Sequence, residues 1–426
     1  MTDSTPEPQQ PSGLARRRLL QGAAGGILAG GALGGAATAY GTSSSGKTVD
    51  ELPDKDVVDL STAHEFYDQT HPVGVRTPPQ RYAVFMTFDL VDGTMASDLQ
   101  VLLARWSAAI AQMMKGQPIG AVQPARPGAI GIDTGEAEGL DPAGLTVTVG
   151  LGPSIFDKRF GLEHKRPALL KDLPALPSDQ IQKSMSGGDL SVQACADDPQ
   201  VAYHAVRNLA RMVRDTAQTG WTVMGFGRAS AGPGQQTPRN LMGFKDGTRN
   251  INTDEEYADF VWVKDDGWMT GGTYQVVRKI QMNIEIWDAD NIGDQQQIFG
   301  RTKSEGAPLT GHREMDTPKF HEKGKDGRLV IPATSHISLA AHENNGGVKV
   351  LRRPYNYTDG INKFGQLDAG LLMVIYVNDP DHFVRLQRRL GASDRLNEYI
   401  QHIGSGLWAI PPAPAKGHFI AEDLFT

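Results

Sequence analysis

A single cysteine, Cys195, serves the whole 426-residue chain. No intramolecular disulfide can form, and no thiolate set is present for structural zinc or an iron–sulfur centre. A basic excess is also missing: 42 lysines and arginines stand against 49 aspartates and glutamates, for a net charge of −7. Nucleic acid is therefore not an expected partner, because it needs a broad positive footprint. With 39% hydrophobic and 21% charged residues, the chain has neither a fibrous nor a disordered composition. Its length suits two or three domains.

What is present begins with an address. Arg16, Arg17 and Arg18 lead through Leu19 and Leu20 into a Gly/Ala-rich run at 22–39 that ends in Ala37-Thr38-Ala39, a small-x-small cleavage pattern before Tyr40. The run is too rich in glycine to make a comfortable membrane span. It reads as a signal peptide, and the paired arginines resemble a twin-arginine export signal. The expected partner is the twin-arginine translocation machinery, and the expected location is extracellular, periplasmic or in the cell envelope. Cleavage removes three arginines and two acids, so the remainder is more acidic still.

The rest reads as two similar halves. Strand-like runs at 81–90, 145–151, 190–196 and 221–227 alternate with helical periodicity at 98–114 and again from Pro199. The second half repeats this with strands at 273–281 and 371–377, a helix from about Glu285 and another after Pro380. Strand, Asp-Pro and amphipathic helix occur twice, with Pro199 and Pro380 lying 181 residues apart, the trace a duplicated α+β unit leaves. Two ferredoxin-like domains are expected, each an antiparallel sheet with helices on one face. The division is 1–39 signal peptide, 40–79 polar leader, 80–235 N-terminal domain and 236–426 C-terminal domain, with a Gly/Pro-rich hinge at 231–238.

Three features bear chemistry. In the first, Gly243 and Gly247 bracket Phe244, Lys245 and Asp246, allowing a tight turn close to something flat or bulky, although Asp-Gly is also an ordinary turn. The second is a histidine cluster: His312, His321, His336 and His342 crowd into 31 residues without a zinc spacing. Of these, His336 alone sits in a mostly apolar stretch, where its imidazole needs a metal or a hydrogen-bond partner. The third is Arg352 within the strand-like run 350–357, either a surface ladder or a placed guanidinium.

Together these features resemble the dye-decolourising peroxidase family of haem enzymes: Gly-x-x-Asp-Gly at 243–247, a histidine about ninety residues on, and an arginine sixteen residues later. Phe299-Gly300-Arg301-Thr302-Lys303 and Gly370-Leu371-Leu372-Met373 add to the likeness, which spans residues 75–426. The resemblance implies paired ferredoxin-like domains of the dimeric α+β barrel type, and one b-type haem per chain seated mainly in the C-terminal half. It further implies His336 as the iron ligand, with Asp246 and Arg352 as the distal acid and arginine. Gly243, Phe244, Gly247, Thr248, Arg301, Leu371 and Met373 would contact the cofactor, with Met373 standing where an aromatic is expected. The implied activity is reduction of hydrogen peroxide through a ferryl intermediate, with oxidation of dyes, phenols or other reductants. A haem- or iron-handling role of the deferrochelatase kind is the alternative, since fold alone does not fix physiological role.

The chemistry agrees with this assignment. Peroxide cleavage needs a base that becomes an acid within one turnover, which a carboxylate can be, and a permanently charged guanidinium suits the charge that develops. A ligating histidine needs a partner for its second ring nitrogen, and Asp379, at the end of the last strand, is the expected one. Tyr355, Tyr357, Tyr399 and Trp408 are candidates for passing electrons from reductants at the surface.

Overall fold

The computed structural model describes residues 58–227, 237–264 and 266–426. The signal peptide, the leader up to residue 57 and residues 231–236 of the hinge lie outside the described residues.

The first half runs β1 (Tyr82–Leu90), α1 (Ala96–Met113), β2 (Thr146–Leu151), β3 (Leu190–Ala196), α2 (Pro199–Met212) and β4 (Ala217–Phe226). Helical spacing puts Leu99, Leu102, Leu103, Trp106, Ile110 and Met113 on the buried face of α1. In α2 the Asp198 carboxylate accepts from the Gln200 and Val201 amides, satisfying donors that a helix start leaves open. Pro199 fits the first turn, where no amide hydrogen is needed.

After α3 (Asp254–Phe260) the second half runs β5 (Thr273–Met282), α4 (Ile284–Ala289), α5 (Ile292–Phe299), α6 (His336–Ala340), β6 (Leu351–Arg352), β7 (Tyr355–Ile361), β8 (Leu367–Val377), α7 (Pro380–Ser393) and β9 (Ile400–Ile410). The Asp-Pro signature recurs with the same physics: the Asp379 carboxylate accepts from the Asp381 amide at 2.9 Å and caps α7.

All strand pairs are antiparallel. In the first half the spatial order is β4-β1-β3-β2, and in the second β9-β5-β8-β7. Each is the fourth-first-third-second order of a ferredoxin-like unit, as the repeat in the sequence implies. The two units join at both edges, β2 to β9 through Leu151 and Ala409, and β4 to β7 through Gly225–Tyr357 and Phe226–Asn356. With β5 also paired to β8, the sheet closes on itself.

Alternation along the strands then separates two environments. On one face, Phe85, Trp221, Tyr357, Leu372, Tyr376 and Trp408 form a buried cluster. On the other, Val84, Phe88, Val192 and Ala194 pack with α1 and α2.

The connection between α1 and β2 is tied down by one carboxylate. Asp133 accepts from the Ile119 amide at 2.9 Å and the Gly135 amide at 2.7 Å, and meets His204 Nε2 at 2.9 Å. Burial raises the Asp133 pKa, but the bonds from His204, Gly135 and Ile119 outweigh it and the net shift is downward. A depressed carboxylate stabilises the fold above its unfolded pKa, near 3.9, and that contribution is lost as pH falls through the folded value. Asp133→Asn is expected to lower unfolding stability at pH 7 by about 1–3 kcal/mol, since asparagine keeps one acceptor oxygen and turns an NH2 group toward a donor that the second carboxylate oxygen had satisfied. In urea titrations at pH 7 and pH 3 the gap to wild type should shrink at the lower pH; an equal gap at both would disprove the account.

Candidate active site

A cavity with about 1620 Å³ of empty space, its open mouth included, lies in the second half. Its lining is largely apolar with a few converging polar and charged groups, the make-up of a ligand site. Its apolar wall comes from alternate residues of β5 and β8, with Ile280, Met282, Leu371, Met373 and Ile375 on one face of the sheet, and from Phe299, Leu386 and Leu390. Asp246, Arg352 and His336, separated widely in sequence, all line it.

Asp246 sits in a turn whose shape depends on glycine. Gly243 has φ +84° and Gly247 φ +125°, values that side-chain-bearing residues rarely adopt. The Asp246 amide donates to the Pro238 carbonyl at 2.8 Å. Arg352 Nη1 donates to Asp246 Oδ1 at 3.2 Å and Nη2 to the Thr248 carbonyl at 3.0 Å. The guanidinium therefore meets both the carboxylate and the backbone of its turn. Asn250, which sequence reasoning missed, fixes the arginine's own backbone: its Nδ2 donates to the Arg352 carbonyl at 2.7 Å, and its Oδ1 accepts from the Arg352 amide at 3.0 Å.

His336 opens the short helix α6. Its Nδ1 is 2.7 Å from Asp394 Oδ2, whereas its Nε2 makes no hydrogen bond among the described residues. The side chain keeps 31% of its surface open, and the cavity it lines is where that surface faces. Burial alone would push the imidazole pKa down; the charge and hydrogen bond of Asp394 carry it above the ordinary value, with Asp246 adding and Arg352 opposing. An imidazole whose second nitrogen is held by a carboxylate is oriented and made a stronger electron donor.

The expected partner of His336 was Asp379, and this is corrected. Asp379 is the cap of α7, and the partner is Asp394, at the other end of that helix. Asp394 also accepts from the Leu396 amide through Oδ1 at 2.9 Å, so one carboxylate starts a 3₁₀ turn and holds the histidine.

Of the expected cofactor contacts, Gly247, Thr248, Arg301, Leu371 and Met373 line the cavity. Gly243 and Phe244 stand behind it: Phe244 stacks on Phe299 at 3.9 Å between ring centroids. Arg301 is buried, donating to the Gly306 carbonyl at 2.6 Å and the Glu314 carbonyl at 3.0 Å. Burial pushes its pKa down to about 10, with Arg249 and Arg352 adding repulsion and Glu314 opposing.

The four aromatics expected near the surface are all buried, which corrects their placement. Tyr357 and Trp408 belong to the buried cluster on the sheet face away from α1 and α2, and Tyr355 packs beside Cys195. Closure of the sheet buries the faces that a single exposed ladder would leave open. Tyr399 differs, because its hydroxyl donates to Asp290 and its ring lies 5.0 Å from Trp287. Trp287, another residue missed in the sequence, lies 5.6 Å from Phe299, itself 5.9 Å from His336. The hydrogen bond to Asp290, ahead of burial, pushes the Tyr399 phenol up to about 12.

The residues fit haem: an imidazole nitrogen with no hydrogen bond among the described residues belongs to a mostly apolar cavity, and the buried Arg301 cation in its wall suits a haem carboxylate. Comparison with known proteins agrees. The C-terminal Dyp-type peroxidase family profile matches residues 237–415, and the N-terminal one residues 72–227. A deferrochelatase of Yersinia pseudotuberculosis is 35% identical over 98% of this chain and 97% of its own. Among solved structures, an oxyferrous complex of DtpA from Streptomyces lividans aligns with TM-score 0.81 at 37% identity, covering 88% of this chain and all of that one. A DyP-type peroxidase from Streptomyces coelicolor aligns with TM-score 0.80 at 38% identity, covering 86% and 98%. With both halves matched by their profiles and the cavity built around His336, the chain belongs to the Dyp-type haem peroxidases, oxidoreductases with hydrogen peroxide as acceptor.

Proposed function

We propose that His336 holds the haem iron, Asp246 moves the proton of hydrogen peroxide, and Arg352 stabilises the charge that develops as the O–O bond breaks. The observation that carries this reading is the 3.2 Å contact between Arg352 and Asp246 in the cavity that His336 also lines. Haem, when bound, supplies the electrons that cleave peroxide. Asp246 takes the proton from one peroxide oxygen and returns it to the other, so that the second oxygen leaves as water. Arg352 presents fixed donors at that moment and keeps its charge throughout. Asp394 holds the Nδ1 proton of His336 and leaves Nε2 to the iron.

Tyr399 and Trp287, both buried, form a series of closely packed rings toward His336 through Phe299, an internal path for electrons given up by reductants that stay outside the cavity. The natural substrates are small or bulky organic reductants such as phenols and dyes. The enzyme works outside the cytoplasm, carried there by the twin-arginine route that Arg16 and Arg17 suggest. Relatives called deferrochelatases favour one second reading, release of iron from haem. Product analysis separates the two, since peroxidase turnover leaves the macrocycle metallated whereas iron release yields the free porphyrin.

Asp246→Ala is expected to slow peroxide reduction by about 10²–10⁴, the worth of a positioned acid–base group. Arg352→Leu should cost about 10²–10³, by analogy with removing one oxyanion donor. Stopped-flow measurement checks both, and a near-normal Asp246→Ala rate would refute the assignment of the base.

The two aspartates flanking α7 should part company. Asp394→Ala should weaken haem retention and change the iron's visible spectrum, because His336 loses its anchor. Asp379→Ala should leave that spectrum unchanged and cost only about 1 kcal/mol of stability, as loss of a helix cap does. The reverse pattern would restore Asp379 as the partner.

Lysine at both Arg16 and Arg17 should leave unprocessed protein in the cytoplasm, and N-terminal sequencing of exported wild type should begin near Tyr40. Normal export of the lysine variant would rule out the twin-arginine route.

A further inference from the structure

Residues 300–335, between α5 and α6, contain no helix and no named strand, yet they contribute Arg301, Pro318 and Phe320 to the cavity wall. A long irregular segment at a functional cavity needs fastening, since its own backbone supplies little. One side chain collects the fastenings. Glu314 Oε1 accepts from Thr248 Oγ1 at 2.9 Å and from Thr237 Oγ1, and its Oε2 accepts from Lys245 Nζ at 2.6 Å. Its main-chain carbonyl takes the bond from Arg301 noted above.

The donors are not scattered. Lys245 and Thr248 are the residues on either side of Asp246 and Gly247, and Thr237 precedes Pro238, whose carbonyl receives the Asp246 amide. Arg352 grips the same turn through Asp246 and the Thr248 carbonyl. The turn is thus held by a cation at one point and by an anion at another. The Lys245 stem runs against Gly306 of the irregular segment, where a Cβ would stand 2.7 Å from its Cδ. Glu314 and Lys245 side chains are only 14% and 15% exposed, so their bond is poorly screened. Burial raises the Glu314 pKa, but the bonds from Lys245, Thr237 and Thr248 outweigh it and hold the carboxyl below its usual range.

We propose that Glu314 is a positioning residue of this active site, fixing the turn that carries Asp246 and latching residues 300–335 against the cofactor. Glu314 does not itself line the cavity; it acts through Lys245 and Thr248. The proposal rests on the reading of Asp246 as the proton carrier.

The test uses the haem-loaded full chain. Glu314→Ala should slow peroxide reduction per bound haem by about tenfold or more, the effect of displacing a reacting group slightly. It should also speed transfer of haem to excess apomyoglobin by a similar factor, and Glu314→Gln, which keeps its shape and can still accept from a threonine, should fall between. A Thr237→Val/Thr248→Val double variant removes the same bonds from the other side and should reproduce the slower peroxide step; it decides the matter if Glu314→Ala fails to load haem. A role in stability alone would lower the melting temperature without changing the rate per bound haem. Rates per bound haem within twofold of wild type in both variants would overturn the proposal, whatever the transfer rate. Failure of the underlying reading looks different: Asp246→Ala itself would then keep a near-normal rate.

Discussion

The fold depends on two short edge-to-edge joins. Each ferredoxin-like half would otherwise present open strand edges, β2 and β4 in the first and β7 and β9 in the second, and open edges invite pairing with other chains. Only a few residue pairs make the joins, Leu151 with Ala409 on one side and Gly225–Tyr357 with Phe226–Asn356 on the other. Because they close the sheet, they turn one face of every strand inward. The cavity follows from this. On β8, Leu372, Val374 and Tyr376 pack on the inner face, while Leu371, Met373 and Ile375 are turned to the cavity wall.

That separation explains what the sequence could tell and what it could not. The repeated Asp-Pro after a strand revealed the duplication, and the same strand order in both halves accounts for it. Yet the Asp of that signature misled as chemistry. A carboxylate before proline at a helix start is used locally, to cap the first turn, and so Asp379 is committed to its own helix. The carboxylate that reaches His336 sits beyond the other end of the helix, 58 residues from the histidine. Nothing local marks it, because the only sign is an aspartate that starts a short 3₁₀ turn.

The aromatic residues show the same limit. A strand with Tyr355 and Tyr357 two apart announces one shared face, but period two does not say whether that face meets water or core. Closure decided, and the pair went inside. The Trp287 and Tyr399 rings were harder to join in advance, since one lies in α4 and the other just before β9, and only the packing around Phe299 and Phe244 brings them together. By contrast, the Asp246 turn was legible because its glycines are required by backbone geometry alone: φ of +84° and +125° at Gly243 and Gly247. Met373 occupies the cavity wall where resemblance implies an aromatic, and its flexible thioether fills that space with less shape of its own.

The groups that the proposed mechanism uses are each held by a neighbour to which it gives no chemical step. Arg352 is set by Asn250 through two backbone bonds, His336 by Asp394, and the Asp246 turn by the Lys245–Glu314 pair. This division has a physical reason. In the proposed mechanism Asp246 releases and regains a proton, so it cannot also be a fully bonded structural anchor; among the described residues its side chain has one hydrogen bond, the 3.2 Å contact with Arg352, which leaves most of its acceptor capacity free. The stronger, shorter bonds fall on Glu314 and Asp394, whose charges need not change. On that reading placement is supplied by groups outside the chemistry, while the proposed proton carrier is left with few bonds to break.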